Sequence, residues 1–418
     1  MAATKRAHYS KREDCRVCGD KRLTRFLELG PQPLANAFLN DEMMKAGDEE
    51  KFPLDLYVCH GCWHVQLLDV VSKETLFSHY LYFSTVSRTI PAHFAALAAE
   101  VAARHTTRGD MVVEVGSNDG VLLSAFEGTG LRTLGIEPAT NVAEVARRRG
   151  VPTMNRFFTE ETASLVARDL GHAQVVIANN VIGHIDDLHG VMKAVKHLLN
   201  PEGVFIFEVP YLVDLLEKNE FDTVYHEHLS YFAVRPVQRM LERAGLKLVD
   251  VKRQEVHGGT VRLYARHAAS DEPVSHAVQE LVALEKRLHL DTLAPYEAFA
   301  KRVQQLRKDL VALIQDAKRQ GKRIAGYGAP AKGNTLLNYC GIGQEHLEYV
   351  QDTTPIKQGL RTPGMHIPVV PPETLQQRPP DLALMLAWNY EPEILAKEAT
   401  FRRNGGKFIV PIPTPRVV

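Results

Sequence analysis

The chain has 418 residues, 45% of them hydrophobic and 24% charged, with 50 Lys and Arg against 50 Asp and Glu. That length calls for two or three domains, and that composition is the one of a soluble globular protein rather than a disordered or membrane-spanning one. Zero formal net charge argues against broad affinity for nucleic acid or anionic membranes, which needs a basic excess.

The opening segment MAATKRAHYSKRED has no apolar core, so no secretory leader is expected there. The longest apolar runs, such as 175–178, fall far short of the ~20 residues that span a bilayer. A cytoplasmic location is expected. Four of the five cysteines lie in the first 62 residues, as Cys15-x-x-Cys18 and Cys59-x-x-Cys62. That spacing suits a tetrahedral four-thiolate zinc site, in which metal closes a loop too short to build its own core. With four thiolates no coordination position stays open, so the ion is structural. His60 and His64 lie close enough to substitute for a thiolate. Cys340 stands alone and reads as a core residue.

The aromatic-rich run ETLFSHYLYFSTVS leads into a helix expected from Pro91 to His105, with Phe94, Leu97 and Val101 at helical spacing. From residue 110 strands and helices alternate. MVVEVG, LRTLGIEP, QVVIANN and GVFIFEVP read as strands, and NVAEVARRRG as a helix closed by glycine. The pattern predicts a doubly wound parallel sheet. After TVRLYARH a charged helical stretch covers roughly 274–320. KRIAGYGAPAKGNTLLNYC then opens a second strand-turn-helix unit, with further strands in EYVQDTT, DLALMLAW and KFIVPIP.

The first glycine turn, VVEVGSNDG at 112–120, follows a strand and resembles motif I of class I methyltransferases. Glu114, Gly116, Asn118 and Gly120 are its candidate cofactor residues, although the second glycine is displaced from the usual G-x-G. An NAD fingerprint would require G-x-G-x-x-G. About 20 residues on, Glu137 ends the next strand, where a carboxylate can accept both ribose hydroxyls. Asn180 closes the third strand at the ligand-lining edge, and Phe157 and Phe158 are placed to cover an adenine.

FDTVYHEHLSYF at 221–232 packs two histidines, a glutamate and two tyrosines into twelve positions. Two readings stay open: a second metal site through His226 and His228, or an acid-base cluster with neighbours orienting an imidazole. His184, in NNVIGHIDD, follows the third strand at the cofactor edge. HGGT and Arg262 suit either a phosphate contact or a hairpin. In GYGAPAKGN a helix start after a glycine turn favours an anion, with Lys332 and Asn334 as ligand groups.

CRVCGD, LGPQPLAN, the second Cys pair, VGSNDG, GIEP, NNVIGHI, FEVPYL, YHEHLSYF, HGGT-x-R and GYGAPAKGNT, in this order over essentially the whole chain, resemble the sugar C-methyltransferase family of deoxysugar biosynthesis. The resemblance implies an α/β chain in three parts: a four-cysteine zinc module (1–73), a central class I methyltransferase Rossmann-like domain (74–268) and a C-terminal α/β Rossmann-like domain contacting a nucleotide sugar (269–418). It implies S-adenosylmethionine as cofactor, structural zinc, and methylation of C-3 of a dTDP-linked 4-keto-6-deoxysugar. His228 is then the general base, with Tyr225 and Glu227 as its companions. His184 contacts the C-4 oxygen and Tyr82 brings a substrate-side hydroxyl. Tyr80 and His226 are further substrate-side candidates. A monomer is expected.

Competing readings are an O- or N-methyltransferase of another small molecule, an RNA-binding zinc ribbon, and an NAD oxidoreductase. The first needs no enolate-forming base. The second lacks basic-aromatic interleaving, and the third lacks the glycine at the required spacing.

Overall fold

The computed structural model describes residues 9–77, 89–256 and 258–418. Tyr80 and Tyr82, like His79 and His257, lie outside them. The chain forms two compact units, each gathered from three segments: Met1–Thr24, Val58–Leu212 and Leu229–Thr292 in the first, and Arg25–Tyr57, Val213–His228 and Leu293–Val418 in the second.

In chain order the early strands are β1 (Tyr9–Lys11), β2 (Leu23–Gln32), β3 (Phe52–Cys59), β4 (Val65–Leu67) and β5 (Asp69–Val71). β2 and β3 carry the chain from the first unit into the second and back. β1 pairs antiparallel with β5. The first unit centres on a seven-stranded sheet made from β6 (Met111–Val115), β7 (Arg132–Ile136), β8 (Thr153–Met154), β9 (Ala173–Asn179), β10 (Leu199–Pro210), β12 (Leu246–Gln254) and β13 (Thr260–His267). Its order is β12-β13-β10-β9-β6-β7-β8. All neighbours are parallel except those involving β13, which runs antiparallel to both β10 and β12. The short β11 (Ser230–Tyr231) pairs instead with β4.

β6 and β9 are buried along nearly their whole length, as strands covered on both faces must be, which is why they read as apolar runs rather than alternations. One cover is the helix Thr89–Arg104, close to the helix expected at 91–105. Its Ile90, Phe94, Leu97 and Val101 share a core cluster with Val112, Val175, Ile177, Val204 and Ile206. Chain order runs outward from β6 to β8 on one side and from β9 to β13 on the other. The carboxyl ends of β6 and β9 therefore flank a topological switch point, where α/β sheets bind their ligands.

The second unit holds β14 (Ile324–Tyr327), β15 (Val350–Gln351), β16 (Val369–Val370), β17 (Leu382–Met385), β18 (Lys407–Val410) and β19 (Arg416–Val417), in the order β16-β15-β14-β17-β18-β19. Only β19 is antiparallel. A second Rossmann-like sheet is therefore present, with its own switch point at β14. The charged stretch resolves into helices His276–Arg287 and Ala294–Arg319. The second buries Phe299, Val303, Leu306, Leu310 and Ile314 at helical spacing. No described helix is long and apolar enough to cross a membrane.

Candidate active site

The cysteine knuckles fold locally. Gly19 N–H donates to Cys15 O at 2.8 Å and Trp63 N–H to Cys59 O at 2.8 Å, and each turn ends in a left-handed residue, Gly19 (φ 75°) and Trp63 (φ 63°). Cys15 and Cys62 Sγ lie 3.5 Å apart, as do Cys18 and Cys59, and all four sulfurs fall within 4.8 Å of one another. Zn–S bonds of about 2.3 Å at tetrahedral angles put sulfurs about 3.8 Å apart, so the donor set fits zinc. Crowding opposes ionisation: contact with Cys59 pushes the Cys15 thiol up to about 12, and contact with Cys15 pushes Cys62 up. A divalent cation removes that penalty. The two nearby histidines are engaged elsewhere, His60 with Thr24 Oγ1 at 2.7 Å and His64 with Ser230 Oγ at 3.1 Å.

Arg16, between the first two cysteines, is fully buried. It donates to Gln66 Oε1, to the Leu67 and Leu229 carbonyls and, through Nε at 2.9 Å, to Asp186. Asp186 stands two residues beyond His184, so the zinc module braces the loop that carries His184. That loop is the short 3-10 turn Ile182–His184. His184 stacks on Phe77 with centroids 5.5 Å apart and planes at 5°. Burial pulls its imidazole down to about 4, which makes it a neutral hydrogen-bonding group near pH 7. Gly183 O accepts from Leu229 N–H at 2.8 Å, and Leu229 is the residue after His228.

At the first switch point Gly116 (φ 66°), Asn118 (φ 47°) and Gly120 (φ 79°) are left-handed. A Cβ on Gly116 would meet Val181 Cγ2 at 2.3 Å, so glycine is needed for space as well as for φ. Glu137 accepts Asn118 N–H at 2.9 Å and Ala139 N–H at 2.8 Å on its two oxygens. Burial pushes its carboxyl up while those amides pull it down. Glu114 is fully enclosed, and desolvation together with Glu137 and Asp119 holds its carboxyl far above the usual range.

Glu114 Oε2, Ser117 Oγ and both amide atoms of Asn179 find no partner among the described residues. Buried polar atoms of this kind mark a place built for a ligand. Three crowded carboxylates suit a cationic one, and S-adenosylmethionine bears both a sulfonium and an ammonium. The residues present fit that cofactor.

Asn179 went unnoticed in the sequence beside Asn180. It is the last strand residue, with its amide 8% exposed, whereas Asn180 turns left-handed (φ 55°) and donates its N–H to Glu208 O at 2.8 Å. Phe158 is buried, and Phe157 carries Lys73 Nζ 4.6 Å from its ring centroid. Arg262 is not available for a phosphate. It is 4% exposed and ion-paired to Glu208 and Glu100, and Glu208 also binds His93.

In the second unit the YHEH segment is a loop entered by the 3-10 turn Phe221–Thr223, not a strand. His228 Nδ1 lies 2.8 Å from Thr223 O. A carbonyl can only accept, so the proton is on Nδ1 and Nε2 bears the lone pair. Tyr225 packs on the His228 ring at 3.9 Å between centroids. Glu227 Oε1 accepts from Asn36 Nδ2 at 2.7 Å. His226 is 1% exposed, with Nε2 at 3.2 Å from the Phe52 and Pro53 carbonyls. Among the described residues the four cysteines alone have metal-ligand geometry, so the second-metal reading of His226 and His228 falls away.

Lys332 and Asn334 open the helix Ala331–Cys340. Asn334 is 2% exposed and its amide donates to Ala35 O at 2.7 Å. Lys332 Nζ bonds Asn389 Oδ1 and lies 4.2 Å over the Trp388 ring. It sits in the field of Asp222 and Glu220, whose carboxyls burial pushes up to about 6 and about 7.

The strand order, the left-handed glycine turn, the strand-end acid and the four-thiolate cluster define an S-adenosylmethionine-dependent methyltransferase with a zinc-binding module. Family models agree: a zinc binding domain matches residues 15–77, a methyltransferase domain 85–251 and a C-methyltransferase C-terminal domain 255–413. The C-methyltransferase NovU of Streptomyces niveus is 42% identical over 407 residues, which cover 97% of each chain. The chain belongs to the sugar C-methyltransferase family. A ubiquinone biosynthesis O-methyltransferase of Cupriavidus pinatubonensis is 24% identical over 161 residues, covering 34% of this chain and 63% of its own. Among solved structures, magnesium protoporphyrin IX methyltransferase from Synechocystis PCC 6803 covers 42% of this chain and 78% of its own at TM-score 0.33 and 12% identity. The CcbJ methyltransferase from Streptomyces caelestis covers 43% and 90% at TM-score 0.33 and 18% identity.

Proposed function

We propose that this C-methyltransferase acts on C-3 of a nucleotide-linked 4-keto-6-deoxysugar, dTDP-linked by preference, through an enolate, with His228 as the general base. The observation that carries this reading is the 2.8 Å contact of His228 Nδ1 with Thr223 O. It sets the tautomer whose Nε2 lone pair can take a proton from carbon, while Tyr225 packed on the ring limits its rotation.

A C–H beside a ketone is weakly acidic, and its removal puts charge on the C-4 oxygen. His184, held neutral by burial, can donate a hydrogen bond to that oxyanion without the repulsion or pH sensitivity of an imidazolium. Glu227 and Tyr225 orient the sugar, with Tyr82 and Tyr80 as further substrate-side hydroxyls. His226, Lys332 and Asn334, whose polar atoms are engaged inside the second unit, serve by holding the YHEH loop in shape. Bound S-adenosylmethionine supplies an electrophilic methyl on positively charged sulfur. Glu114, Gly116, Asn118, Gly120, Glu137 and Asn180, joined by Asn179, would hold it. We assign the zinc module to 1–73, methyl transfer to 74–268 and the nucleotide-sugar contact to 269–418.

The test is incubation with a 4-keto nucleotide sugar in deuterated water with S-adenosylhomocysteine present. Wild type should place deuterium on the carbon beside the ketone, and His228→Ala should lose exchange while still binding cofactor. Exchange retained in that variant removes His228 from the base role. An oxygen or nitrogen acceptor would give no carbon exchange at all.

A further inference from the structure

We propose that Asn36 and Lys357 are positioning residues that fix the Glu227 carboxylate in one rotamer and keep it ionised. The inference rests on the reading above for what Glu227 does, and on the second unit alone for how it is held.

Glu227 is 3% exposed. A carboxylate removed from water stays ionised only if it is hydrogen-bonded and charge-paired. Asn36 supplies the hydrogen bond, Nδ2 to Oε1 at 2.7 Å. Lys357 supplies the charge. It is 9% exposed, anchored by Nζ to Ala329 O at 2.8 Å and packed 5.0 Å from the Phe38 ring centroid. Burial opposes its charge, and Asp352 and Glu227 are the two carboxylates that restore it.

Those carboxylates are not equivalent. Asp352 already accepts backbone N–H groups on both oxygens, from Ala329 at 2.6 Å and Thr354 at 2.7 Å, which stabilise its anion on their own. Glu227 draws on Asn36 and the lysine field. Its chain neighbours add no cation of their own in the neutral state, since His226 faces two carbonyls through Nε2 and His228 one through Nδ1.

Consecutive side chains of one helix hold this arrangement. From Ala331–Cys340, Asn334 binds Ala35 O, one residue before Asn36, and Thr335 Oγ1 binds Val224 O at 3.1 Å, three residues before Glu227. The segments LGPQPLAN, YHEH and GYGAPAKGNT are hundreds of positions apart, yet one helical turn pins the first two and the loop after β15 brings Lys357. Part of the third segment's task is then to set a carboxylate, with no ligand required.

The experiment reads Glu227 directly, by difference infrared spectroscopy of glutamate-13C-labelled full-length protein against Glu227→Gln. Wild type should show an ionised carboxylate at neutral pH. Lys357→Met should move its titration upward by about one unit or more, a tenfold change in proton affinity, and Lys357→Arg should restore it. Asn36→Asp, which sets a second carboxylate against it, should shift it the same way, and Asn36→Ala should broaden the band. If Lys357→Met does not fold, the two Asn36 variants decide. The acid limb of the pH profile of kcat/KM should follow the spectroscopic shift, and Lys357→Met should add no further loss in the Glu227→Gln background. An unchanged Glu227 titration in the folded variants overturns the proposal. Absence of carbon exchange in wild type would instead overturn the assigned reaction and leave the infrared result to judge Asn36 and Lys357.

Discussion

Arg16 Nε meets Asp186 Oδ1 at 2.9 Å, joining the residue after the first zinc-site cysteine to the loop of His184. The zinc module therefore acts on the active site through a buried cation, although no thiolate approaches substrate. Arg16→Met should strand the carbonyls of Leu67 and Leu229 and destabilise the first unit by about 3–5 kcal/mol. Cys59→Ser should do at least as much by losing metal. Thermal unfolding alongside zinc content separates the cases: Arg16→Met keeps its zinc, Cys59→Ser does not.

Gly116 is the tightest point of the cofactor turn. Gly116→Ala would place a methyl at 2.3 Å from Val181 Cγ2, at φ 66°. Backbone strain of about 1–3 kcal/mol and a distorted turn should weaken cofactor binding by an order of magnitude or more. Val181→Ala in the same chain should recover part of it, because the clash is with that side chain. Calorimetric titration of S-adenosylmethionine into both variants measures this, and equal affinities would refute the packing argument.

Glu114 is held protonated by burial beside Glu137 and Asp119. A cation arriving among the three should draw the proton off. Binding of S-adenosylmethionine near neutral pH should thus release protons, and the uncharged sulfur of S-adenosylhomocysteine should release fewer. Titration in two buffers of different ionisation enthalpy reports the number directly. Glu114→Gln should abolish the difference between the two ligands.

His184 makes the first unit acid-sensitive. Its folded value of about 4 lies below the model value of 6.5, so the unfolded chain binds the proton more tightly. Stability is complete above 6.5, falls as pH drops below it, and levels off below about 4. The part-exposed ring limits the effect to about 2 kcal/mol. His184→Asn should flatten the stability curve over this window in chemical denaturation. An unchanged slope would mean that the ring is solvated.

Much of this was legible in the residues. The thiolate spacing, the alternating apolar runs and the glycine turn each encode a local requirement: two sulfurs facing one ion, strands covered on both faces, a left-handed backbone beside a ligand. Local requirements leave local patterns, so the zinc module, both Rossmann-like sheets and residues 112–120 could be read from the chain. Which strand-end asparagine turns inward could not be read, because Asn179 and Asn180 differ only in the φ that ends the strand. The uses of Asn334 and Arg262 were equally hidden, since side chains suited to bind a phosphate are as well suited to bind a buried carbonyl or carboxylate.

Tertiary structure alone decided how the chain is partitioned and what surrounds YHEH. Asn36 reaches Glu227 across 191 positions, and Arg16 reaches Asp186 across 170. No periodicity records such pairs, because a hydrogen bond between distant segments depends on where the backbone brings them and not on the spacing of either one. Composition and pattern determine which elements form, and packing determines which polar atoms then face each other.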